Sequence, residues 1–82
     1  SKPQGYFDIN VKADGGKIEV NADRDLLQVE VYSLAGNLLE KETSPKGKAK
    51  FLMNMPSNQH KPMLVVCYAA DGSYITYKIM EK

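Results

Sequence analysis

Tryptophan is missing from this chain, histidine and cysteine occur once each, and no apolar run is longer than one strand. Each scarcity excludes a class of mechanism. A single cysteine, Cys67, rules out an internal disulfide and any zinc site built from several thiolates. The one histidine, His60, stands between Gln59 and Lys61, with no serine motif or carboxylate spaced to orient it, so no nucleophile–base triad is suggested. The longest apolar stretch, Met63 to Ala70, falls far short of the ~20 residues a helix needs to cross a bilayer. Charge of one sign is lacking too. Eleven Lys and Arg against 10 Asp and Glu leave a net charge of +1, which gives a nucleic-acid partner no support. Ser1-Lys2-Pro3 opens onto a polar segment rather than a signal peptide, so any export signal has been removed or lies on a longer precursor.

What is present is the pattern of a small globular domain. At 82 residues and 43% hydrophobic content the chain has material for one core. Residues 1–5 are expected to be a linker or expression remnant, and 6–82 a single domain. Its organisation turns on the stretch VEVYSLAGNLLEKET, Val29 to Thr43. A helix there must hold Gly36 in its middle, at ~1 kcal/mol against Ala, and must accept the β-branched Val29 and Val31. Two strands fit better. Leu27, Val29 and Val31 alternate with Gln28, Glu30 and Tyr32, and Gly36-Asn37 supplies residues that tolerate positive φ.

Alternation of period two recurs along the chain. Phe7, Ile9 and Val11 form one set, Ile18, Val20 and Ala22 a second, and Phe51, Met53 and Met55 a third. Pro62 to Ala70 is apolar on both phases, as for a central strand covered on both sides. Asp71-Gly72 is a strong two-residue hairpin signal, and Ile75, Tyr77 and Ile79 beyond it are expected to face the core. Turns are expected at Asp23-Arg24-Asp25 and loops at Thr43 to Gly47 and Ser57 to Lys61. The expected fold is therefore all-β, an Ig-like antiparallel β-sandwich of about seven strands.

Few residues suggest chemistry. Asn21, Asp23 and Asp25 have the spacing of the first calcium-loop ligands, but Leu26 and Tyr32 stand where that loop needs Gly and a bidentate Glu, so a polar turn is expected. Asp14-Gly15-Gly16-Lys17 lacks the spacing of a phosphate-cradling loop. Lys46, Lys48 and Lys50 would line one strand face, where lysines commonly protect a sheet edge. Cys67 is expected to be a buried core residue. No cofactor, metal or catalytic set is expected. Tyr32 and Tyr74 fall on the outward phase of their strands and form a possible binding surface for a sugar ring or a partner protein.

From about Leu27 onward the chain resembles the C-terminal sorting domains of the Por (type IX) secretion system of Bacteroidetes, or the related small Ig-like domains of exported bacterial proteins. VEVYSLAGNLL matches their V-x-[IV]-[YF] strand, Gly turn and paired aliphatics, and LVVCYAADGSYITYKIMEK matches their closing hairpin with its final Lys-Ile-aliphatic. Lys61-Pro62-Met63 stands where members carry Gly-x-Tyr. The resemblance implies a non-catalytic sorting or anchoring module of a protein exported by a Gram-negative bacterium, secreted or held at the cell surface. Its partner would be the secretion machinery or a cell-surface protein, and its signal would be carried by Gly36, Asp71, Gly72, Lys78, Ile79 and Lys82. The alternative is an extracellular binding module that recognises glycan or protein.

Overall fold

The computed structural model describes residues 7–56 and 62–80. The expectations for residues 1–5, for the loop 57–61 with His60, and for Lys82 lie outside the described residues. The chain is all-β, and no helix occurs among the described residues. The described residues form five antiparallel strands in order: β1 (Ile9–Asp14), β2 (Lys17–Ser33), β3 (Leu38–Asn54), β4 (Met63–Ala69) and β5 (Tyr74–Ile79). They form one sheet in the order β1-β2-β4-β5, with β3 pairing with β2.

The expected count of seven strands is corrected to five. All seven alternating segments are extended, but two pairs of them are continuous. β2 and β3 each run for 17 residues. Asp23-Arg24-Asp25 does not reverse the chain, and neither does Thr43 to Gly47; both are bends inside a strand. The register shows how. Asn21 faces Lys50 and Leu26 faces Lys48, so residues 22–25 stand opposite Ala49 alone. Gln28 then faces Thr43, so residues 44–47 stand opposite Leu27 alone. Extra residues first on one strand and then on the other make two facing bulges, which turn the sheet through a corner. Gly47 is needed there: its φ is +84°, and a Cβ on it would lie 3.0 Å from the Cβ of Asp25.

The corner divides the sheet into a β1 half (β1, residues 17–22 and 48–54) and a β5 half (residues 26–33, 38–43, β4 and β5). Their inner faces share one core. Phe7, Ile18, Val20, Phe51 and Met53 come from the first half, and Leu26, Val29, Val31, Met63, Val65, Cys67, Ala69 and Ile79 from the second. Removing this apolar surface from water is the main stabilising term for the sheet, at roughly 1.5–3 kcal/mol for each large aliphatic side chain. Cys67 is fully buried, and desolvation pushes its thiol pKa up to about 12. One inner position departs from expectation. Ile79 is buried and Ile75 half-buried, but Tyr77 is 41% exposed. Among the described residues β5 is an edge strand paired with β4 alone, and the core reaches its two isoleucines without covering the tyrosine between them.

Candidate functional site

The outer face of the β5 half is built from the residues that alternate with the core. Register places three rows on it: Thr43, Gln28, Tyr68 and Tyr74; then Lys41, Glu30, Val66 and Thr76; then Leu38, Tyr32, Leu64 and Lys78. The middle of this face holds an acid as buried as the core. Glu30 is 8% exposed. Burying a carboxylate is costly unless donors replace its water, and here they do. Gln28 Nε2 donates to Oε2 at 2.8 Å, and Tyr32 OH donates to Oε1 at 2.8 Å. Among the described residues that are not exposed, no buried side-chain polar atom lacks a partner.

Two tyrosines interact with this carboxylate, and a third stacks on one of them. The phenol of Tyr32 has its pKa raised, chiefly by its hydrogen bond to Glu30 and then by desolvation. The phenol of Tyr68 is raised by burial first and by Glu30 second. Both therefore act as donors rather than bases at neutral pH. Tyr68 faces Tyr74 directly across β4 and β5, with ring centroids 6.0 Å apart and planes tilted by 38°. Tyr74 is 66% exposed, so one ring of the pair is free to stack on an incoming group.

The sequence-expected residues are distributed unevenly. Tyr32 and Tyr74 lie on this outer face, in its opposite end rows and two strands apart. Tyr68 and Glu30 lie between them and join them into one surface. Gly36 lies in the β2–β3 turn with φ +93°, where Gly36 N–H donates to Ser33 O at 3.0 Å and Ser33 N–H to Asn37 O at 2.9 Å. Asp71 and Gly72 lie in the β4–β5 turn; Gly72 has φ +88°, and Asp71 Oδ1 accepts from Ser73 N–H at 2.9 Å and from the Ser73 hydroxyl. These bonds hold the Asp71 carboxyl below its ordinary pKa, with Arg24, 3.5 Å away, adding to the effect. Since Ser33 faces Met63 and Met63 faces Ile79, Gly36, Lys78 and Ile79 share one end of the half, and Asp71 and Gly72 occupy the other. Lys78 is exposed on the outer face, and Ile79 is in the core.

Other candidates resolve into structure. Asp23, Arg24 and Asp25, with Asp71, line a shallow recess at the corner. The Arg24 guanidinium lies 5.0 Å from the centre of the Phe7 ring and 3.8 Å from Asp23. Among the described residues no group of three His, Cys, Asp or Glu side chains could hold a metal ion. Lys46, Lys48 and Lys50 all lie on β3, which among the described residues pairs with β2 alone. Lys48 pairs with Glu42 at 2.9 Å and Lys50 with Glu19 at 3.1 Å. Sequence reasoning missed Glu30 and Tyr68. The available signal was Gln28, Glu30 and Tyr32 on one outward phase, three hydrogen-bonding side chains in reach of one another. No helix among the described residues is long and apolar enough to cross a membrane. No protein-family model and no curated protein matches the chain.

Proposed function

We propose that this chain is a non-catalytic recognition module of an exported bacterial protein, acting in secretion sorting or surface anchoring through its closing hairpin. The observation that carries this reading is the position of that hairpin. Among the described residues β5 lies at the margin of the sheet, paired with β4 alone, with Tyr74, Thr76, Tyr77 and Lys78 exposed. Its likeness to Por-type sorting domains supplies the functional class, and the two curled halves would correspond to the layers of the Ig-like β-sandwich that such domains adopt. The test is export of a reporter fused upstream of the domain, in a host that has the Por machinery. The intact domain should direct export, and Lys78→Ala should reduce it without changing the melting temperature. Normal export after removal of residues 73–82 would end the reading.

A second reading has its own observation. Tyr32, Tyr68 and Tyr74 on one outer face, with Gln28 and Glu30 among them, combine ring faces with hydrogen-bonding groups, the mixture that sugar recognition uses. A glycan-array screen addresses it. Binding that survives Tyr74→Ala would remove this face from consideration.

A further inference from the structure

The margins of this sheet are guarded unequally. β3 carries Glu40, Lys41, Glu42, Lys46, Lys48 and Lys50, is interrupted by Pro45, and is bulged against β2. β1 carries Lys12 and Asp14 in its six residues. Charge, proline and bulges are the devices by which proteins prevent edge-to-edge pairing. β5 has almost none of them. Its six residues, YITYKI, contain no proline and a single charge, Lys78, and their register with β4 runs without a shift. Among the described residues no strand pairs with its outer side. On its inner phase Tyr77 is 41% exposed, an aromatic ring at a core position that the described residues leave partly open.

We propose that β5 pairs edge to edge with β5 of a second copy of this chain, antiparallel, about a twofold axis through Thr76. The sequence of the strand is self-complementary in that register. Thr76 meets Thr76, Ile75 meets Tyr77, and Tyr74 meets Lys78. A threonine pair, an aromatic–β-branched pair and a cation over an aromatic ring are all favourable cross-strand neighbours. Ile75 of each copy covers Tyr77 of the other, and the two Lys78 ammonium groups are kept apart. A twofold perpendicular to the sheet also joins the two outer faces into one continuous surface. The inference rests on the edge strand and stands whether or not the sorting reading holds.

Sedimentation velocity of the intact chain over a concentration series tests it. A monomer–dimer equilibrium is expected. Thr76→Lys places like charges directly opposite each other at the axis and should weaken association at least tenfold, with the circular dichroism of the monomer unchanged. Directly opposed Cα atoms in antiparallel strands lie about 4.5–5.5 Å apart, within the span of a disulfide. Mild oxidation should therefore link the Thr76→Cys variant into a covalent dimer, while Thr43→Cys on β3 stays monomeric. The buried Cys67 thiol does not compete in the folded chain. A chain that stays monomeric throughout would overturn the proposal and leave the edge to a strand of another protein. So would a dimer indifferent to Thr76→Lys, or cross-linking at Thr43→Cys as fast as at Thr76→Cys.

Discussion

The two faces of the β5 half are made by the same strands, one residue out of phase, and are held in different ways. On the inner face Val29, Val31, Val65 and Cys67 are fully buried and carry no polar side-chain group beyond a thiol. That face is stabilised by non-directional burial, and each side chain is replaceable by another of its size. On the outer face Glu30 is buried almost as deeply, and its neighbours are arranged by hydrogen bonds to it. That face depends on identity and geometry, because an acceptor removed leaves two donors without partners. A period-two pattern assigns residues to faces. It does not say what will cover them.

Single substitutions probe this contrast, the most damaging first. Ile79→Ala empties a core position that is 5% exposed; urea melts should show a loss of about 2–5 kcal/mol. Glu30→Ala strips the acceptor from Gln28 and Tyr32, and the same melts should show about 1–3 kcal/mol lost. Glu30→Gln, which keeps an acceptor oxygen, should fall between that variant and the parent. If Glu30→Ala were neutral, the outer network would be an ornament of the surface.

Cys67 gives an effect visible only at high pH. Its folded pKa is raised from 9.0 to about 12, above the value in the unfolded chain. Its contribution is therefore complete below the unfolded pKa and is lost as pH climbs through the folded one, because the unfolded chain releases the proton first. The raised phenols of Tyr32 and Tyr68 act in the same direction. Chemical melts across the alkaline range should show a shallower decline for Cys67→Val than for the parent. Least of all, Tyr74→Ala should change stability by no more than about 0.5 kcal/mol, as exposed substitutions usually do. Its value lies in separating a binding role from a structural one.

The hydrophobic alternation makes most of this fold legible in the sequence. Val29, Val31, Phe51, Met53 and Ile79 are core residues as their phase requires, and Gly36 and Gly72 take the positive φ that their hairpins demand. The corner was not legible. Asp23-Arg24-Asp25 and Pro45-Lys46-Gly47 have the composition of turns, and a bulge needs the same residues as a turn. What decides between them is the register of the neighbouring strand, which is not local information. Tyr77 was misplaced for a related reason, since phase is a property of its own strand and cover is supplied by a distant one. In the candidate site Tyr32 and Tyr74 were visible as outward residues. Glu30 was not, because a carboxylate on an outward phase is ordinarily solvated, and only its tertiary neighbours bury it.

The corner at Asp25 and Gly47 has a consequence for how the molecule comes apart. β2 and β3 pass through it without a break, so each half of the sheet borrows its central pairing from strands that also serve the other. A sheet made of two separate layers could lose one while the other persisted. Here, opening one half pulls on the hydrogen-bond ladder of its counterpart, and the two share a single cooperative unit. Amide protons near Val20 and near Val31, on opposite sides of the bend, should then exchange with solvent through one common event. The hinge-like look of the bend conceals a fastening.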